Sequence, residues 1–158
     1  MTFAEIDAYS LSVFLHVSAV VVGFGATFAE AIMFPVAMKA GVQHLPYVHK
    51  LQLAINQRLA TPAMVVIILT GLYQTSERWD FGEVWITATF AIVIVIGGLL
   101  GGYFVPTDRR LAAQAERELA DTGEVSEDYL RQARREGMVG ALTGVLLIVA
   151  VFLMVTKP

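Results

Sequence analysis

Four stretches of apolar residues, each long enough to cross a lipid bilayer, occupy most of this chain and decide its solvent before any other question arises. Leu11–Met38 is apolar apart from His16, Glu30 and a few small polar residues, while Leu59–Ser76, Val84–Thr107 and Gly137–Thr156 carry no charge. A helix needs about 17–25 such residues to span the hydrocarbon core. Lipid offers the backbone no hydrogen bonds, so each span must be a helix that satisfies its own. The expected fold is all-α: a four-helix transmembrane bundle of two hairpins, forming one integral membrane domain over residues 1–158. The helices are expected at roughly 10–39, 53–76, 84–106 and 136–156. The first apolar stretch is too long for a signal-peptide core and is expected to remain as a mature helix.

Charge supports the same reading. Only 16% of residues are charged against 56% hydrophobic, and nearly all of that charge falls between the apolar segments. A soluble bundle would instead spread it along one face of every helix. The net charge of −3 gives no reason to expect a nucleic-acid partner, and the absence of cysteine excludes disulfide, zinc-thiolate and thiol-nucleophile chemistry.

Basic residues set the expected orientation. Lys39, Lys50 and Arg58 lie in the first connection, and Arg109, Arg110, Arg117, Arg131, Arg134 and Arg135 in the third. The second connection has only Arg78 and the C-terminal tail only Lys157. Nine against two places the first and third connections in the cytoplasm of a cell membrane, with both termini on the other side. Trp79 and Trp85 flank the second connection, where interfacial indoles belong.

Gly41 and Pro46 punctuate the first connection, so a helix should restart near Tyr47. His49, Lys50, Gln52, Asn56, Gln57 and Arg58 would form its wet end, with a bend at Pro62 that Thr61 helps to satisfy. The third connection, Asp108–Glu136, mixes eight acids with six arginines in helix-forming runs. A stop is expected at Gly123 and a new N-cap at Ser126. Helices three and four therefore extend into the cytoplasm as a charged helical hairpin, either a solvated face or a docking surface for a protein partner.

Residues that could carry chemistry are few. Tyr9, Ser12, His16, Gly23, Thr27 and Glu30 recur at helical spacing and form a polar stripe that should face the bundle interior. Glu30 and Arg58 are expected at similar depth in antiparallel neighbours. They would form an intramembrane polar cluster with Asn56, either a structural ion pair or an ion or proton site. His16 lies about 20 Å from Glu30 along the helix, and can hydrogen-bond across helices or ligate a metal centre such as haem iron. Met154 and Tyr73 could approach it, whereas His44 and His49 fall at the opposite end. No metal site is read from the sequence. Gly97, Gly98, Gly101, Gly102, Gly140 and Gly144 form small-xxx-small pairs suited to close helix packing, within one chain or between protomers of a homo-oligomer.

Phe14-Leu15-His16-Val17, Arg58-Leu-Ala-Thr-Pro62 with Leu69-Thr70-Gly71-Leu72, and the closing Leu153-Met-Val-Thr-Lys157-Pro158 carry a resemblance across nearly the whole chain. With these motifs the chain resembles a bacterial family of predicted four-helix integral membrane proteins, a domain of unknown function. More remotely it is similar to the four-helix haem-binding protoporphyrinogen oxidases and to the copper-resistance membrane domain. That second likeness implies haem or a porphyrin-type cofactor at His16. It does not imply oxidase chemistry, because Val84–Val105 lacks the lysine and histidines those enzymes carry near the start of helix three.

No nucleophile–base constellation supports a hydrolase, and the chain reads as non-enzymatic. The leading expectation is a small membrane protein with a structural, assembly or accessory role. Haem binding through His16 is the first alternative, and an oligomeric channel or transporter unit using Glu30, Asn56 and Arg58 is the second.

Overall fold

The computed structural model describes residues 7–158, and these form four long helices without strands. The helices are α1 (Ala8–Ala40), α2 (Val42–Arg78), α3 (Val84–Thr122) and α4 (Glu127–Thr156), all long and apolar enough to cross a membrane. Their ends follow local chemistry. The Asp7 carboxylate accepts from the Ser10 backbone N–H at 2.7 Å and caps α1. Hydrogen bonds from Ser10 hold that carboxyl below its ordinary range. Gly41, at φ 126°, ends α1 in a conformation closed to residues with a Cβ. Gly123 ends α3 at φ 77°, and the Ser126 hydroxyl accepts from Tyr129 N–H to start α4. The stop and the cap thus stand where the sequence puts them. Helix α2 starts earlier than Tyr47, through a 3₁₀ turn at Val42–His44. Pro46 falls in the first α-helical turn, where its missing N–H has no partner to lose.

Two of the helices widen near their middles. Asn56–Ala60 in α2 and Leu100–Phe104 in α3 are π-helical turns. Pro62 follows the first and Pro106 the second, and each proline ring would clash with a carbonyl four residues back, at Arg58 and Gly102. Both of those carbonyls lie inside the widened turns, so the chain relieves the clash by lengthening its hydrogen-bond step. The Thr61 hydroxyl donates to the Asn56 carbonyl at 2.8 Å, which already accepts the Thr61 backbone N–H, so it does not serve a carbonyl that Pro62 frees.

The bundle is inverted relative to a soluble one. Buried positions of α1 are Ser12, His16, Ala19, Gly23 and Ala37. Phe14, Val21, Ile32, Leu69, Ile94 and Phe152 stand exposed at 60% or more. Small and polar residues inside with large apolar ones outside is the arrangement lipid favours. Antiparallel α1 and α2 meet in regular rungs: Arg78 over the Tyr9 ring at 3.7 Å, Gln74 donating to Ser12 at 3.2 Å, and His16 Nδ1 against Thr70 Oγ1 at 2.8 Å. Below them a Cβ on Gly23 would stand 3.3 Å from Ala63. At this end Trp79 and Trp85 meet edge to face, with Lys157 over the Trp79 ring at 4.1 Å.

The other end holds a second, soluble-like core. Ala37, Leu45, Val48, Leu111, Ala115, Tyr129 and Ala133 pack there into one cluster. The polar part of α3 beyond Pro106 therefore lies against the first turns of α2, with Lys50 and Glu116 ion-paired on its surface.

Candidate functional site

Between the rungs and this second core, the four helices line a cavity of about 380 Å³. That lies within the roughly 300–1,000 Å³ of small-molecule sites. Gly23, Thr27, Glu30 and Phe34, on the inward face of α1, line one side. The π-turns form the facing walls, with Asn56 and Ala60 from one and Leu100 and Phe104 from the other. Since π-turns rotate the following residues about the helix axis, they help aim these side chains inward.

The chamber is polar at one end and apolar at the other. Its polar end gathers Glu30, His49, Gln52, Asn56, Asp108 and Glu136. His49 is 1% exposed, Asp108 1%, Asn56 5% and Glu136 8%. Such burial requires partners, and only some exist. His49 Nε2 stands 2.8 Å from the Tyr129 hydroxyl, and Asn56 Nδ2 donates to Asp108 Oδ2 at 3.0 Å. His49 Nδ1 faces Asp108 Oδ1 at 3.6 Å and Glu136 Oε2 at 3.7 Å. Those separations are too long for hydrogen bonds. His49 Nδ1, Glu30 Oε1, Gln52 Oε1 and Glu136 Oε1 are buried without a hydrogen-bond partner. Among the described residues no Lys or Arg forms an ion pair with any of the three carboxylates. Arg134, itself exposed, contributes to the lining.

The residues singled out in the sequence are distributed differently from expectation. Glu30 and Asn56 line the same chamber, but Arg58 is exposed, outside the lining, and forms no ion pair with Glu30. Register explains the correction. From His16 to Gly23 is seven residues down α1, matched by seven from Thr70 to Ala63 up α2. The next seven on each side carry Glu30 to the level of Asn56, leaving Arg58 on the outer face of the π-turn. His49 is likewise not at a wet end: it is among the most deeply buried side chains of the chain.

His16 sits apart. Its Nε2 is buried without a partner beside a second cavity of about 90 Å³, which Gly71, Trp85, Phe90 and Met154 help line. That volume is several-fold below the range of ligand pockets. A porphyrin does not fit between the helices as they pack here.

The glycines divide. Gly144 packs against Phe28 of α1, where an added Cβ would stand 3.5 Å from the ring, and Gly140 approaches Phe104. Gly97 meets Met64 of α2. An added Cβ at Gly98, Gly101 or Gly102 would meet nothing within 4 Å, so these three do not draw α3 towards another helix of the same chain.

Sequence reasoning missed His49, Asp108 and Glu136 as a group. They are buried together, with one ligand-type atom from each lying within 4.8 Å of the others. A usable signal existed in part: His49, Gln52 and Asn56 fall on one helical face. Asp108 and Glu136 flank apolar runs but are far apart in sequence, and nothing in their spacing pairs them.

Neither the curated proteins nor the solved structures searched contain a match to this chain. Residues 10–158 match a family described as "Predicted integral membrane protein (DUF2269)", and the chain, with its four apolar helices, belongs to that family.

Proposed function

We propose that this protein binds a cationic ligand inside the membrane, in the chamber walled by Glu30, Asp108 and Glu136. One observation carries the reading: three carboxylates share one cavity, and among the described residues no Lys or Arg is ion-paired with them, His49 alone facing two of the three. Unpaired ionisable groups at membrane depth are costly and mark ligand or ion pathways. A ligand that brings positive charge offsets the cost of their burial. The apolar end, with Phe24, Met64, Ile67 and Leu147, gives an organic cation somewhere to place its hydrocarbon.

In this reading the protein crosses a cell membrane as two helical hairpins, with its termini outside. The basic residues of the first and third connections support that orientation. The chamber then lies in the cytoplasmic half, next to the charged extension of α3 and α4. A structural or assembly role is the second reading. It is favoured by the open surface at Gly98, Gly101 and Gly102, which suits close approach of a second copy.

Thermal unfolding of the purified protein in mild detergent tests the first reading. Ethidium, tetramethylammonium, Mg²⁺, Co²⁺ and Zn²⁺ are added in turn, with neutral phenanthridine as the control. A ligand at a hundred times its Kd stabilises by about 2.7 kcal/mol. At least one cation should raise the Tm of the wild type; Glu136→Gln should remove any such rise, and Glu30→Gln a rise caused by an organic cation. A wild type that responds to none of the cations, or variants that respond as strongly, overturns the reading.

A further inference from the structure

We propose that His49, Asp108 and Glu136 form a binding site for one divalent transition-metal ion at the polar end of the chamber. The inference rests on the cation-binding reading above and names the class of cation that this corner would take.

The donor geometry is the first argument. His49 Nδ1 stands 3.6 Å from Asp108 Oδ1 and 3.7 Å from Glu136 Oε2. Ligands about 2.0–2.2 Å from a tetrahedral metal lie roughly 3.3–3.6 Å from one another. The gaps are too wide for hydrogen bonds and suit an ion held between the groups. If His49 Nδ1 served only the two carboxylates, closer contact would be expected, because each group is almost wholly withdrawn from solvent.

The supporting partners are the second argument, and they are independent of the first. A metal-ligating histidine normally donates its other ring N–H to a fixed acceptor. Here Nε2 lies 2.8 Å from the Tyr129 hydroxyl, and in the tautomer in which Nε2–H donates to that oxygen, Nδ1 offers its lone pair towards the carboxylates. Tyr129 is itself fully buried and held in the second core. Asp108 Oδ2 accepts from Asn56, leaving Oδ1 for the ion. His49 and Asp108 therefore each have one atom held by a neighbour and one facing the cluster. Among the atoms of these three side chains, His49 Nδ1 and Glu136 Oε1 are buried without a hydrogen-bond partner.

Donor type narrows the ion. One imidazole and two carboxylates suit Zn²⁺, Mn²⁺, Fe²⁺ or Co²⁺, whereas Mg²⁺ and Ca²⁺ prefer oxygen alone. Two carboxylates balance the dication. All three ligands line the chamber, and its wall also carries Glu30.

The test is equilibrium dialysis of chelator-washed protein in detergent against Co²⁺, followed by visible absorption and by X-ray absorption of the bound ion. One Co²⁺ per chain is expected, with a first shell of oxygen and a single imidazole. His49→Gln and Asp108→Asn should each weaken binding at least a hundredfold. Tyr129→Phe keeps every ligand and removes only the outer partner, so about a 10–100-fold loss is expected. His44→Gln, at an exposed histidine, should leave uptake unchanged. Size-exclusion profiles and circular dichroism establish that each variant is folded. A folded wild type that takes up neither Co²⁺ nor Zn²⁺ overturns the inference, as does uptake that survives His49→Gln. Stabilisation by ethidium without metal uptake would overturn the metal site and leave the cation reading standing. Failure of every cation would overturn both.

Discussion

Replacing Glu30 by methionine should make the protein more stable, and replacing Arg58 should leave its stability almost unchanged. Glu30 Oε1 is buried without a hydrogen-bond partner, and Arg58 is exposed and outside the chamber. A buried polar group left unsatisfied costs about 1–3 kcal/mol, and more when it is charged. Methionine has nearly the same length and no polar atom, so Glu30→Met should recover about that amount in the absence of added cation. Arg58→Gln removes no ion pair among the described residues and should fall within about ±0.5 kcal/mol. Because the two side chains share no partner, the double variant should equal the sum within roughly 0.5 kcal/mol. Reversible unfolding in mixed detergent micelles, monitored by helical circular dichroism, supplies all four free energies. The Glu30→Met protein should also lose its thermal response to organic cations, which separates a residue kept for binding from one kept for stability. The opposite pattern refutes the reasoning. If each single change costs about 3 kcal/mol or more and the double change restores much of the loss, Glu30 and Arg58 are a buried ion pair and the register drawn here is wrong.

Asn56→Ala should cost about 1.5–3 kcal/mol in the same assay, because it removes the donor to a buried carboxylate; a neutral result would mean that Asp108 is satisfied elsewhere. Gly23→Leu should destabilise by about 1–3 kcal/mol, since the first added carbon already stands 3.3 Å from Ala63. Gly98→Leu should leave unfolding unchanged, as nothing lies within 4 Å, while weakening any self-association detected by crosslinking in native membranes. For orientation, the cysteine-free background allows single-site labelling of intact cells. Asp80→Cys should react with an impermeant maleimide and Ala120→Cys only after permeabilisation; the reverse pattern inverts the topology.

The number of long helices and the solvent they suit were legible in the sequence. Uninterrupted apolar runs admit no other backbone arrangement in lipid, and signals such as Gly41, Gly123 and Ser126 act through neighbours a few residues away. The inward stripe of α1 was legible for the same reason, because helical periodicity alone lines up Ser12, His16, Gly23 and Glu30. Partnership across helices was not. Two prolines widen α2 and α3 into π-turns, and the Gly23–Ala63 contact sets how α1 and α2 mesh. Together these decide that Glu30 meets the level of Asn56 while Arg58 turns outward. His49, Asp108 and Glu136 come from three different helices, and no periodicity links residues so far apart along the chain. Their meeting depends on where α2, α3 and α4 cross, which is set by packing throughout the bundle rather than by any local run of residues.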